Sequence, residues 1–196
     1  MRFPWQREKL LIVNVPDRWT PNIHDGKLYW FWTPDDWLLS PHVSPECCLT
    51  RRSRNVLMEV TVLEPTVVPS TTNPAAFVSG ITKQSIRSSH PYMRIIRDEP
   101  RILQRFDTVD AFMQMRSRGI LDDYPFVSEM VRPQHVHLLM VRYMEAFGAL
   151  SITDCYSISR GNLVMQLNIK TLSSIYARQR PIFEQVVATV MLGRLE

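Results

Sequence analysis

The chain has 196 residues, of which 45% are hydrophobic and 21% are charged, and its formal net charge is +4. This composition is typical of a folded globular protein and excludes an intrinsically disordered chain. No apolar run approaches the roughly 20 residues that a transmembrane helix requires, so we expect no membrane span.

The N-terminal region is rich in tryptophan and proline. All five tryptophans fall within the first 37 residues, and six prolines lie in the first 45. Because proline interrupts helices and interior strands, this region is predicted to be irregular, with short strands at Leu10–Val15 and Leu28–Trp32. Thr33, followed by Pro34 and two aspartates, predicts the start of a short helix.

The best predicted strand is Asn55–Leu63, in which apolar residues alternate with more polar ones. Residues 65–74 then combine proline, serine and threonine, a composition typical of a linker. We therefore expect three regions: a strand-containing N-terminal region over residues 1–64, a linker-like stretch over 65–85, and a helical domain over 86–196.

The second half of the chain is predicted to be mainly helical. Capping signals predict two helices, over residues 107–119 and 122–131. A third follows Pro133, because apolar residues from Val136 to Phe147 recur at helical spacing. Residues 162–169 fit a strand or a helix, and a last helix is predicted from Arg180 to Leu192. The expected fold class is α+β: an irregular N-terminal region with short strands, followed by a mainly helical C-terminal region.

The sequence contains no recognisable catalytic or cofactor-binding motif. Its six glycines are too scattered for a phosphate-binding loop, and its histidines and cysteines lack the spacing of a zinc site. The adjacent acids at 35–36 and 122–123 are explained as charges at helix N-termini. We therefore expect a non-enzymatic protein without cofactor or metal; an enzyme with a dispersed active site is the less favoured alternative.

The cysteines bear on the cellular compartment. Cys47, Cys48 and Cys155 cannot all pair, and a disulfide between the two adjacent residues would be strained. Free thiols indicate an intracellular, reducing compartment. The mitochondrion is preferred because the basic residues are mostly arginine, with the cytoplasm or a virion as alternatives.

The tryptophan concentration has two main interpretations, besides a third, an anchor at a membrane surface, for which the region lacks an amphipathic helix. Either these side chains pack in the chain's own core, or the N-terminal arm inserts into neighbouring subunits, since tryptophan and arginine are enriched at interface centres. Under the second interpretation, deleting residues 1–40 would leave the rest folded. The predicted interface residues are Trp5, Trp19, Trp30, Trp32 and Trp37, together with Phe183 and Val187 of the last predicted helix, which is apolar on more than one stripe.

Two basic features predict an anionic partner. One is the compact cluster Arg51–Arg54, and the other is a stretch, residues 65–97, that contains no acidic residue. Such surfaces suit RNA phosphates, anionic lipid headgroups or an acidic protein patch, although a solvated surface is the ordinary alternative. The predicted contact residues are Arg51, Arg52, Arg54, Arg94, Arg97, Arg101 and Arg105.

Together these features favour a non-enzymatic accessory or structural subunit of a large multi-protein assembly, whose partners are the other subunits. A mitochondrial complex or a ribosome-like particle is the preferred setting. One alternative is an RNA-binding factor that uses Arg51–Arg54 and the acid-free stretch; another is a viral or phage structural protein.

Overall fold

A computed structural model describes residues 18–24, 28–40, 47–54, 57–69, 73–101 and 135–193. Within these ranges the chain forms ten strands and two helices. The strands are β1 (Trp19–Ile23), β2 (Tyr29–Pro34), β3 (Trp37–Leu39), β4 (Cys47–Ser53), β5 (Met58–Val67), β6 (Arg94–Arg101), β7 (His135–Met144), β8 (Leu150–Arg160), β9 (Leu163–Leu172) and β10 (Met191–Leu192). The helices are α1 (Pro74–Ser89) and α2 (Tyr176–Ala188).

The central element is a seven-stranded antiparallel sheet with the strand order β3-β4-β5-β9-β8-β7-β6. A smaller antiparallel sheet has the order β1-β2-β10. In the large sheet β5 pairs with β9, so strands from both sides of the stretch 65–85 are hydrogen-bonded neighbours. That stretch, predicted as linker-like, contains the end of β5 and most of α1.

The two faces of the large sheet pack against different elements, because successive side chains of a strand point to opposite faces. On β9, Met165 and Leu167 belong to a core shared with β2, β10 and α2. Gln166 and Asn168, which alternate with them, face the other side of the sheet, and α1 covers part of that side. The chain is therefore layered, with α1 on one face of the sheet and α2 with the small sheet on the other.

Helix α1 begins with a capping arrangement that the sequence encodes locally. The Oδ1 atom of Asn73 accepts a hydrogen bond from the backbone N–H of Ala76 at 3.0 Å, and Pro74 occupies the first helical position. At the other end, the backbone N–H of His90 donates to the carbonyl of Ile86. Neither α1 nor α2, the helices within the described ranges, has the length and apolarity that crossing a membrane requires.

The predicted mainly helical C-terminal region is wrong. From residue 135 to residue 193 the chain forms β7, β8, β9 and β10, with α2 as the one helix of this described range. The predicted helix from Val136 to Phe147 is strand β7, which is buried on both faces of the sheet. An apolar run of this kind cannot be distinguished from a buried helix by its periodicity. Met144 and Phe147, expected in the core, are exposed.

Other predicted elements have mixed outcomes. The strand at Leu28–Trp32 is confirmed as β2, and the strand at Asn55–Leu63 is confirmed as β5. The helix start at Thr33 is wrong, since Asp35 and Asp36 form a turn between β2 and β3 and Thr20 donates a hydrogen bond to the Asp35 carboxylate. The predicted last helix is α2, which ends at Ala188. The predicted elements at 10–15, 107–119 and 122–131 lie outside the described residues.

Candidate binding groove

A groove with a volume of about 760 Å³ lies between α1 and the large sheet. Helix α1 contacts β7, β8 and part of β9, and no other described element covers the same face of β4, β5 and the rest of β9 beside it. We call this space the α1 groove. Its wall is α1, its floor is the sheet, and the end of β5 closes one end.

The rim of the α1 groove is apolar and exposed. Val67 at the end of β5 is 58% exposed, and Phe77 and Ile81 of α1 are 46% and 53% exposed. Phe77 and Ile81 are four residues apart and therefore share one side of the helix. Scattered apolar side chains on a surface are ordinary, but their grouping around a concave space is a feature of binding sites.

The floor of the α1 groove carries polar side chains. The Nε2 atom of Gln166 donates to the hydroxyl of Thr82 at 2.6 Å, which joins the floor to the helix. The Oδ1 atom of Asn168 is buried and has no hydrogen-bond partner among the described residues. An unsatisfied buried acceptor costs about 1–3 kcal/mol, so a ligand that donates a hydrogen bond at this point would gain affinity.

Charged and phenolic groups line the end of the α1 groove opposite Val67. The ammonium of Lys170 lies 2.6 Å from Glu145. Burial, the largest single influence, lowers the pKa of Lys170, but the hydrogen bond to Glu145 and the charge interactions with Tyr143, Glu145 and Glu59 together outweigh it, so the pKa is raised overall. The hydroxyls of Tyr143 and Thr153 lie 3.0 Å apart, and burial raises the pKa of Tyr143. Lys170 is therefore a cation with a partner, and Tyr143 is a neutral hydrogen-bonding group.

Cys155 is a free thiol beneath the α1 groove. Its burial, together with the nearby Asp154 carboxylate, raises the pKa of the thiol well above its usual range. Because the thiolate is the nucleophilic form of cysteine, this environment suppresses its reactivity. Cys155 acts here as a small apolar side chain that packs with Leu139 and Val141.

The tryptophans predicted as interface residues lie in the chain's own core. The described members are Trp19, Trp30, Trp32 and Trp37, and all four are buried. Phe183 and Val187 of α2 are buried in the same cluster, whereas Trp5 lies outside the described residues. For the described residues, the structure therefore agrees with the first interpretation, in which the tryptophans pack in the chain's own core.

The predicted anion-binding arginines do not form one surface. Arg51 donates to Oδ1 of Asn22 at 2.9 Å and to the carbonyl of Trp37 at 3.3 Å, and burial lowers its pKa. Arg52 pairs with Glu59. The second group lies on β6, at the opposite edge of the large sheet from β3 and β4. Arg54 and Arg94 are exposed, Arg97 and Arg101 each lie 3.6 Å from Glu99, and Arg105 is outside the described residues.

Sequence reasoning missed the α1 groove because it assigned residues 65–85 to a linker. Two signals in that stretch favour a helix. Asn73 followed by Pro74 is a helix-start pattern, and Phe77 and Ile81 recur at an interval of four. The floor residues on β9 could not be placed beside them without the pairing of β5 with β9.

Neither a protein-family model nor a curated protein matches the sequence. The solved structures that resemble the fold include three of known identity. Cyanobacterial PsbP (CyanoP) from Synechocystis is 11% identical over 91% of this chain and 94% of that chain, with a TM-score of 0.58. LpqN of Mycobacterium tuberculosis, described as involved in cell envelope biogenesis, is 14% identical over 89% and 90%, with a TM-score of 0.52. The Ran-binding protein Mog1p of Saccharomyces cerevisiae is 8% identical over 88% and 94%, with a TM-score of 0.51. At such low identity the resemblance concerns the fold alone, and the chain shares the β-rich fold of these three proteins.

Proposed function

We propose that the chain is a non-enzymatic accessory subunit of a multi-protein assembly, and that it binds a neighbouring protein through the α1 groove. The observation that carries this proposal is the apolar rim of Val67, Phe77 and Ile81 around a concave, partly polar floor. Apolar rims with a few buried polar groups are typical of recognition sites, because apolar area supplies affinity and polar groups fix orientation.

Two further points support a binding role. The Cys155 thiol stays protonated and Lys170 is paired with Glu145, so the reactive groups nearest the α1 groove are held in unreactive forms. Mog1p, one of the proteins with this fold, is named for binding Ran, which supports a protein as the kind of partner. The four tryptophans that the structure describes are not part of the proposed interface, because they are buried in the core.

The double variant Phe77→Ser, Ile81→Ser is expected to separate the chain from its assembly. Both side chains are about half exposed, so their loss should change stability little while removing the apolar rim. The measurement is size-exclusion chromatography of the tagged full chain from a native extract. Wild type should elute with stoichiometric partners, and the double variant should elute as the free chain.

The matched control is Leu38→Ser, Leu39→Ser. It removes two exposed apolar side chains from β3, at an edge of the large sheet rather than in the α1 groove. The control variant should stay in the assembly, and both variants should keep the wild-type circular dichroism spectrum. Assembly of the Phe77, Ile81 variant at the wild-type level would refute the proposed interface.

The RNA-binding alternative has less support, because four of its arginines already contact groups of the chain itself. These are Arg51, Arg52, Arg97 and Arg101. The salt dependence of RNA affinity tests it, since several phosphate contacts would give a steep fall in affinity with rising salt. A flat dependence would remove this alternative.

A further inference from the structure

We infer that α1 is a detachable cover, which leaves the large sheet and returns to it while the rest of the chain stays folded. The inference goes beyond the proposed function and does not depend on a partner in the α1 groove. It rests on the layer between α1 and the sheet, where several buried polar atoms have no hydrogen-bond partner among the described residues.

Two contacts fix how α1 lies on the sheet. The hydroxyl of Thr82 accepts a hydrogen bond from Gln166 on β9. The ammonium of Lys83 pairs with the carboxylate of Asp98 on β6. Ser79 precedes Thr82 and Lys83 by one helical turn, so it lies on the same side of α1, between the two contacts. Because β8 and β7 lie between β9 and β6 in the sheet, Ser79 faces these two middle strands.

The strand β8 presents two more serines to α1. Ser157 and Ser159 share one face of β8 with Cys155, which lies on the α1 side of the sheet. Ser79 is 2% exposed, and Ser157 and Ser159 are both 0% exposed. The hydroxyl of each serine lacks a hydrogen-bond partner within the described ranges. We call Ser79, Ser157 and Ser159 the serine seam.

The imidazole of His137 adds a fourth such atom beside the serine seam. His137 is directly opposite Ser157 in the pairing of β7 with β8. Its Nε2 atom lies 2.8 Å from the carboxylate of Asp98. Since a carboxylate only accepts, Nε2 is the donor, and in the neutral ring Nδ1 is then an acceptor. This Nδ1 atom is buried and has no partner in the described part of the chain.

These four atoms weaken the attachment of α1. Each unsatisfied buried polar atom lowers the equilibrium constant for docking by about fivefold to a hundredfold, because docking removes it from water without giving it a partner. Little apolar area compensates for this cost, since the buried residues of α1 are Pro74, Ala75 and Ser79. Elements with few buried apolar contacts are the ones that open locally in a folded protein.

The sheet can stay folded when α1 detaches. The strands β7, β8 and β9 are paired with one another along their lengths, and their opposite face packs into the main core. Under α1, Leu139, Val141 and Cys155 form a small apolar cluster against which Ile86 of α1 packs. Cys155 is 1% exposed while α1 is docked. The position of α1 therefore controls access to this face of the sheet and to the Cys155 thiol.

Thiol labelling of the wild-type full chain tests the opening. The protein is treated with iodoacetamide, and the tryptic peptide that contains Cys155, separate from the one that contains Cys47 and Cys48, is quantified by mass spectrometry over time. We expect Cys155 to be labelled at least about tenfold faster than global unfolding, measured by urea titration, allows. Labelling at the rate set by global unfolding would show that α1 does not detach by itself, and would overturn the inference.

Ser79→Ala tests whether the serine seam is the cause. It removes an unsatisfied hydroxyl and adds helix propensity, so we expect α1 to open less often and the labelling of Cys155 to slow by about tenfold or more. Ser88→Ala is the matched control, because Ser88 is an exposed serine of the same helix, and it should slow labelling by no more than about threefold. If the two variants had equal effects, or if Ser79→Ala sped up labelling, the Ser79 hydroxyl would be satisfied in the docked state and the inference would be wrong.

Discussion

Replacing Trp32 by alanine is expected to lower the free energy of unfolding by about 3–5 kcal/mol, the usual cost of truncating a fully buried aromatic side chain. Trp32 is 1% exposed, and its ring lies 5.8 Å from that of Trp30 in the core between the two sheets. The backbone N–H of Trp32 donates to the hydroxyl of Thr189, and this bond survives the substitution. Urea unfolding followed by fluorescence and circular dichroism measures the loss.

Leu39→Ala is the matched control, because Leu39 is 64% exposed and its truncation should change stability by no more than about 0.5 kcal/mol.

The burial of the tryptophans also changes the result expected from deleting residues 1–40, which the interface interpretation predicted to leave the rest of the chain folded. Deleting residues 1–40 removes β1, β2 and β3, and β2 packs against α2 and pairs with β10. The deletion should therefore unfold the chain. A stable, cooperatively folding remainder would show that the tryptophans are dispensable to the core.

The sequence predicts β5 well because one face of this strand carries most of its large apolar residues. In β5, Met58, Val60 and Val62 alternate with Glu59 and Thr61, and the strand is recognised. In β7 the alternation is lost, because one face packs into the main core and the other packs under α1. The pattern of residues 162–169 fits a strand or a helix, and the pairing of β9 with β5 and β8 shows that this segment is a strand.

The α1 groove could not be predicted from the sequence, for a different reason. Phe77 and Ile81 become neighbours of Gln166 and Asn168 through the pairing of β5 with β9 and the packing of α1 on the sheet. Single-sequence patterns do not encode such long-range contacts. The tryptophans were noticed because of their number. Composition alone does not show whether a cluster of aromatic side chains is covered by its own chain or by a partner.

Asp154 is an ionisable residue at a buried position, where the neutral form of its carboxyl group is favoured. It lies on β8, is 1% exposed, and its Oδ2 atom accepts a hydrogen bond from the hydroxyl of Tyr176 at 2.7 Å. Its Oδ1 atom is buried without a hydrogen-bond partner in the described part of the chain. Burial raises the pKa of Asp154 from 3.8 to about 6, although the Tyr176 hydrogen bond and the charges of Arg180 and Arg97 lower it and Glu184 raises it.

This raised pKa makes the stability of the chain depend on pH in a defined direction. Between pH 3.8 and about 6 the folded chain holds a proton on Asp154 that the unfolded chain releases. The folded state then binds more protons, so its stability falls as the pH rises through this window and levels off above it. At about 1.4 kcal/mol for each pKa unit, a shift of about two units corresponds to about 3 kcal/mol.

Asp154→Asn should remove this dependence, because the amide has nearly the same shape, does not titrate, and can still accept the Tyr176 hydrogen bond. Relative to wild type, the free energy of unfolding of the variant should rise by about 2–2.5 kcal/mol between pH 4 and pH 7, as measured by urea unfolding at each pH. Glu184→Gln makes the same chemical change at an exposed site that pairs with Arg180, and its difference from wild type should vary by no more than about 0.5 kcal/mol. If the curves of wild type and Asp154→Asn ran parallel over this range, the carboxyl would titrate alike in the folded and unfolded chains, and its burial between α2 and the sheet would not govern the acid stability of the protein.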